Sequence, residues 1–300
     1  MKKLEKINKP NHMIPEFSII IPTFNNLEYL KRALISIENQ TEKNFETIVV
    51  VDGSTDCTIE YLNEYEKHKI NLKFFYINAS GGPAKPRNIG IQVSSGKWLC
   101  FLDSDDYWLS NKLKVIKNFI DKEKYDLFYH REFCNNRIIN KRTYRSDLYN
   151  KLIVKGNLCS TSATVVNREF IIKKKILFNE DRRYISVEDY DFWLMIALKG
   201  GTFKHINKVL GYYRIHNNNL TKDILNHNKN YLRLIYKHVF YYLDVSLNKK
   251  IIFRKLLIVN KIRLFILKNN NSNFFFILFY KVIINILKNL LYLKIYLRKN

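Results

Sequence analysis

Asp103-Ser104-Asp105-Asp106 follows directly on the apolar run GKWLCFL. Carboxylates two residues apart, straight after a buried strand, can turn their oxygens toward one cation. A small set of hard oxygen ligands suits Mg2+ or Mn2+ shared with substrate phosphates. In isolation the same tetrapeptide also reads as a cap for a helix beginning near Ser110, with solvated turn carboxylates beside it. A second acidic group, Glu188-Asp189-Tyr190-Asp191, falls in what reads as the first turn of a helix, where the dipole favours negative charge. Pairing two acids can also raise the pKa of one of them. Trp108 and Trp193 are wide enough to stack on a sugar face and apolar enough to belong to a core.

These residues need elements to position them, and the first hundred residues alternate between strand and helix patterns. Residues 17–22 (FSIIIP), 46–51 (ETIVVV), 73–77 (KFFYI) and 97–102 (KWLCFL) are short β-branched or aromatic runs bounded by turn formers. Helical patterns lie between them, at about 27–39, 58–69 and 86–94, the last with Pro86 in its first turn. Strands separated by helices predict βαβ units and a mostly parallel sheet, which binds ligands at the carboxyl ends of its strands. The polar segments fall at those ends: Thr23-Phe24-Asn25-Asn26, Asp52-Gly53-Ser54-Thr55-Asp56, residues 81–88 (GGPAKPRN) and the aspartates at 103–106.

Beyond Tyr107 the pattern loosens. It predicts a helix over 110–123, a strand over 126–130, a loop or hairpin over 131–145, a strand over 160–166, a helix over 187–198 and a strand over 209–215 ending at His216. The last eighty residues read as helical, apolar and basic. A boundary near 222 therefore divides the chain into a catalytic domain, 1–222, and a helical region, 223–300.

The ordered series IIIPTFNN, VDGSTD, GGPAKPRNIG and GKWLCFLDSDDYW resembles the glycosyltransferase family 2 enzymes over about residues 17–220. The resemblance implies the GT-A nucleotide-sugar fold and inverting, metal-dependent sugar transfer, usually from a UDP-sugar. On that match Pro22, Thr23 and Phe24 line the nucleoside pocket and Asp52 accepts a hydrogen bond from the uracil. Many relatives carry two aspartates before the glycine, and here Val51 replaces the first. Arg87 would lie near the base or diphosphate, Asp103 and Ser104 near the ribose and metal, and Asp105 would be the principal metal ligand. Glu188-Asp189 resembles the acceptor-side acidic pair, with Asp189 the base for the acceptor hydroxyl and Glu188 the fallback. His216, in Tyr213-Arg214-Ile215-His216, would meet the diphosphate or metal, and Ser160-Thr161-Ser162 would contact sugar hydroxyls. The acceptor would be a glycan or lipid-linked glycan of a bacterial surface polysaccharide such as lipopolysaccharide, O-antigen or capsule. The alternatives are an inactive sugar-nucleotide-binding scaffold and a nucleic-acid-binding protein.

Charge bears on the partners. The chain has 300 residues, 47% of them hydrophobic, and a formal net charge of +24. That composition supports a sizeable core and excludes wholesale disorder. Residues 245–300 hold twelve Lys and Arg and no Asp or Glu, which is half of the net charge. Arg254, Lys261 and Lys268 recur every seven residues, as do Lys281 and Lys288, making basic stripes on apolar helices. Such stripes suit an anionic membrane surface, or a helical pair packed on the catalytic domain or on a second copy of the chain. Interleaved with apolar residues, they form no nucleic-acid reader motif, so no nucleic acid is expected as a partner. Cys57, Cys100, Cys134 and Cys159 form no CxxC pair, and residues 1–15 contain no apolar run of signal-peptide length. With no uncharged apolar stretch of membrane-spanning length, the sequence predicts a cytoplasmic protein, peripheral on the inner face of the membrane.

Overall fold

The computed structural model describes residues 14–68, 71–135, 137–139, 147–216, 223–243 and 249–268, with side chains of the last helix described over 252–261. The first half alternates strictly: β1 (Phe17–Thr23), α1 (Leu27–Glu38), β2 (Phe45–Asp52), α2 (Thr58–Lys67), β3 (Leu72–Ile77), α3 (Ala84–Val93) and β4 (Trp98–Phe101). There follow β5 (Tyr107–Trp108), α4 (Lys112–Ile120), β6 (Leu127–Cys134), β7 (Arg137–Ile139), α5 (Leu148–Lys155), β8 (Thr164–Asn167), α6 (Arg168–Lys174), α7 (Glu188–Leu198) and β9 (Phe203–Tyr212). Last come α8 (Ile224–Lys237), a π-helical turn (His238–Tyr242) and α9 (Lys249–Lys268).

One sheet runs through the molecule in the order β3-β2-β1-β4-β8-β6-β9-β5, with β7 added to β6. β1 to β4 are mutually parallel, so the loops after β1, β2, β3 and β4 emerge on one edge. β8 enters antiparallel between β4 and β6, and β9 pairs parallel to β6. The period-2 rule sorts the core: Phe17, Ile19 and Ile21 pack with Leu30, Ala33 and Leu34 of α1 on one face. Ile20 points to the other, with Ile91 of α3 and Phe192 and Leu194 of α7. On that second face α3 lies very close to the sheet, since a Cβ on Gly90 would sit 2.3 Å from Ile20 Cγ2.

The second half differs from its sequence pattern in several places. β9 starts at Phe203, six residues before the expected strand, because Lys204, His205, Asn207 and Lys208 hide the run. Residues 161–163 form a 3-10 turn, leaving β8 shorter than the expected strand. β6 continues to Cys134 and turns back into β7, the hairpin alternative for this stretch. α5 and α6 had no counterpart in the pattern.

The expected boundary near 222 lies outside the described residues. Leu234, Ile235, Val239, Ile252 and Leu256 join the same apolar cluster as α7. Outward from α9, Arg254 and Lys261 are exposed, with Ile258 between them. The remainder of the basic stripes, from Lys268 on, is not among the described side chains. No described helix is long and apolar enough to cross a membrane, and the four cysteines are free thiols.

Candidate active site

The loops after β1 and β2 are stitched together by Asn25, and the Leu27 N–H adds a bond to Asp56 Oδ2 at 3.2 Å. Asn25 adopts a left-handed φ of 46°, which Asn tolerates better than most residues. Its Oδ1 accepts a bond from the Thr55 N–H at 2.7 Å, and its own N–H donates to Ser54 Oγ at 2.9 Å. Asn26 Nδ2 donates to Ser104 Oγ at 3.1 Å, joining this pair to the loop after β4. Gly53 has φ +76°, and a Cβ there would lie 2.7 Å from the Cβ and N of Ala79. That close approach lets Ser80 donate to both oxygens of the buried Asp52, from its N–H and its hydroxyl, each at 2.8 Å. Thr23 is buried and its hydroxyl lacks a partner among the described residues. Phe24 is 56% exposed at the rim.

Arg87 occupies the centre at 3% exposure. Its Nη2 donates to Asp103 Oδ1 at 2.6 Å and its Nη1 to Glu188 Oε1 at 2.8 Å. Burial opposes the guanidinium charge, yet Asp103 and Glu188 hold its pKa above the ordinary value. Arg87 Nε and Glu188 Oε2 are buried with no described hydrogen-bond partner. The adjacent Asn88 anchors α3 sideways, donating to the Phe178 carbonyl at 2.9 Å and accepting from the Phe178 N–H at 2.8 Å.

The aspartates after β4 diverge. The Asp103 N–H donates to Ser162 Oγ at 3.0 Å, and that hydroxyl donates to Asp106 Oδ2 at 2.6 Å. Asp106 Oδ1 accepts from the Arg214 N–H at 2.8 Å. His216 Nε2 meets Asp105 Oδ2 at 2.7 Å, and its ring stacks on Tyr29 with centroids 5.2 Å apart. Burial, then the charge of Asp103, raises the Asp105 pKa against the pull of His216. Burial and the neighbouring Asp105 and Asp103 push Asp106 well above the carboxylate range. Crowded carboxylates with elevated pKa values are what a divalent cation relieves. Among the described residues no group of three His, Cys, Asp or Glu is arranged as a cage. A divalent ion held here would take most of its ligands from a phosphate-bearing substrate and water.

The acids of α7 meet the site from the opposite side. Asp189 Oδ2 accepts from Asn157 Nδ2 at 3.0 Å and Oδ1 from the Tyr190 N–H at 2.6 Å. Its carboxyl, only partly open to solvent, is pushed up to about 7 by burial and by Glu188, against Arg87 and the two hydrogen bonds. A cavity of about 280 Å3 lies between the loop after β3 and the segment before α7, walled by Ser80, Gly82, Lys85, Arg182 and Glu188.

Residues 18–195 match the family described as "Glycosyl transferase family 2". The chain belongs to glycosyl transferase family 2. Curated relatives include the poly(ribitol-phosphate) beta-N-acetylglucosaminyltransferase TarS of Staphylococcus aureus, 31% identical over 66% of this chain and 35% of that protein. Another is the UDP-Glc:alpha-D-GlcNAc-diphosphoundecaprenol beta-1,3-glucosyltransferase WfaP of Escherichia coli, 32% identical over 66% of this chain and 77% of that protein. The matched region spans about a third of the length of several curated relatives, such as an uncharacterized glycosyltransferase of Rickettsia bellii (30%). The crystal structure of S. aureus TarS 1-349 superposes with a TM-score of 0.60 at 26% identity, covering 76% of this chain and 66% of that one.

For this family 2 chain, the α/β fold is the GT-A arrangement that the sequence resemblance implied. Three of the residues singled out from sequence, Arg87, Asp103 and Glu188, are in direct contact, and Asp105 meets His216. Ser104 receives the bond from Asn26. Pro22 is inside β1, opposite Val50, and Asp52 faces Ser80. Ser162 is 1% exposed and braces Asp103 and Asp106. Trp108 and Trp193 are core residues, the former donating to the Ser162 carbonyl at 2.9 Å. Asn157 gave no chemical signal in the sequence, since its partner lies 32 residues away.

Proposed function

We propose that this chain is an inverting glycosyltransferase that moves a sugar from a nucleotide sugar, a UDP-sugar by preference, to a hydroxyl of a glycan or lipid-linked glycan in bacterial surface-polysaccharide synthesis. The observation that carries the reading is Arg87 gripping Asp103 with one nitrogen and Glu188 with the other. It ties the acids after β4 to the acids of α7 on either side of one buried cation. Pro22, Thr23 and Phe24 border the nucleoside, and Asp52, whose carboxylate retains free lone pairs beyond the two bonds from Ser80, accepts from the base. Asp103, Ser104 and Arg87 hold the ribose and diphosphate end. Asp103, Asp105 and His216 would hold a divalent cation, Mn2+ or Mg2+, which would supply electrostatic stabilisation of the departing diphosphate. On the other side of the sugar, Asp189 accepts the proton of the attacking hydroxyl. A pKa of about 7 suits a base that must be ionised yet strong enough to take a proton.

The names of the relatives support the donor and acceptor classes, since one transfers N-acetylglucosamine to poly(ribitol-phosphate) and another takes a UDP-Glc donor and a diphosphoundecaprenol-linked acceptor. We assign residues 1–222 to catalysis and 223–300 to attachment, peripheral on the inner face of the membrane. Exposed Arg254 and Lys261 on α9 support that role, and pairing with a second copy of the chain is its competitor. The test is nucleotide release from UDP-, GDP- and CDP-sugars with and without Mn2+ or Mg2+. UDP release that needs the metal and an acceptor is expected, and no release from any donor overturns the reading. Flotation with anionic but not neutral vesicles, weakened by salt, is the expected outcome for attachment.

A further inference from the structure

Three consecutive residues of α7 are fastened to one stretch of chain, 149–157. Asp189 accepts from Asn157, and the Tyr190 hydroxyl donates to the Leu152 carbonyl at 2.7 Å. Asp191 completes the set through an intermediary: its Oδ1 meets His238 Nε2 at 2.7 Å, and His238 Nδ1 meets the Tyr149 hydroxyl at 3.0 Å. Asp191 and His238 are buried, at 3% and 0% exposure. Asp191 also accepts from Lys237 Nζ at 2.9 Å and from Asn179 Nδ2 at 3.3 Å. Burial works against its charge, but His238 and Lys237 hold its carboxyl below the ordinary range. Burial lowers the His238 pKa, favouring a neutral imidazole. A neutral ring can donate from Nε2 to the carboxylate and accept at Nδ1 from the phenol, which satisfies all three groups.

Successive helical residues point about 100° apart, so bonds from 189, 190 and 191 to one neighbouring segment fix both the rotation and the tilt of α7. None of the donor-side residues takes part. We infer that Asp191, His238 and Tyr149 are positioning residues for Asp189, through which the turn after α8 sets the orientation of the base. The inference rests on the functional reading above and deepens it: the C-terminal helical region completes the base side of the site.

The test uses the full chain with His238→Leu, His238→Gln, Tyr149→Phe and Asp189→Asn. His238→Leu and Tyr149→Phe are expected to lower kcat roughly tenfold to a hundredfold, the cost of about 1 Å of misplacement, with the donor KM within about twofold. His238→Gln, which keeps an amide donor for Asp191, is expected to recover most of that loss. In the Asp189→Asn background, His238→Leu should cost nothing further, since it acts through Asp189. Should His238→Leu fail to fold, Tyr149→Phe carries the same comparison. Unchanged kcat in a folded variant, or losses that simply add to that of Asp189→Asn, overturn the inference. A wild-type chain that transfers no sugar overturns the functional reading instead. Amide exchange then decides the positioning claim: faster exchange over 187–191 than over 45–52 in Tyr149→Phe supports it, and unchanged protection refutes it.

Discussion

The site contains two acidic clusters of similar composition that share one cation, Arg87. After β4, Asp103, Asp105 and Asp106 crowd one loop, and burial, then their mutual repulsion, raises the pKa values of Asp105 and Asp106. At α7, Glu188 is paired directly with Arg87, while Asp189 beside it accepts from neutral donors and is pushed up to about 7 by burial and by Glu188. Identical side chains are thus prepared for different tasks by where the counter-charge sits. The first cluster meets Arg87 through Asp103 alone and leaves Asp105 and Asp106 crowded, whereas the second pairs Glu188 with the same guanidinium and leaves the Asp189 carboxyl raised.

That contrast is broken most severely by removing the proposed proton acceptor. Asp189→Asn should reduce transfer by about 10³–10⁴-fold, at the upper end for a general base, while UDP affinity by calorimetry stays unchanged. Arg87→Met removes the shared cation and leaves Glu188 buried without compensation. It should cost about 3–5 kcal/mol of unfolding free energy, read by denaturant titration. Asp105→Ala should lower metal-dependent transfer by about 10²–10³-fold with the fold intact by circular dichroism, and the residual rate should no longer respond to Mn2+.

The smallest effect is in pH. Because Asp189 as the proposed base must be ionised, transfer should fall about tenfold for each unit below pH 7 in wild type. The sign for stability is the reverse. A carboxyl whose folded pKa is raised binds more protons folded than unfolded, so its contribution is full in acid and is lost as pH rises through about 7. Asp189→Asn should flatten that part of a melting-temperature profile taken between pH 4 and 8.

The two clusters were not equally legible. The strands carrying Asp52 and Asp103 announce themselves, because β1, β2 and β4 are short apolar runs ending in polar turns and the helices between them are local. Asp189 stood out by its neighbour, but what holds it did not. Asn157 is polar in a polar stretch, and His238 and Tyr149, 89 residues apart, look like ordinary helix residues. Their roles come from tertiary pairing, to which local periodicity is blind. β9 was misplaced for a related reason: its first half shows buried Phe203 and Ile206 among lysines, a three-residue spacing that masks a strand paired to β6 across a register shift.

Gly90 lies three residues after Arg87 on α3, with its missing methyl group directed at Ile20. The depth at which the central guanidinium sits between the two acidic clusters is therefore metered by a packing dimension one turn along the same face of the helix. Any side chain there would lift α3 like a shim and withdraw Arg87 from both carboxylates together. Charge balance across the site is governed by a residue with no charge and no side chain.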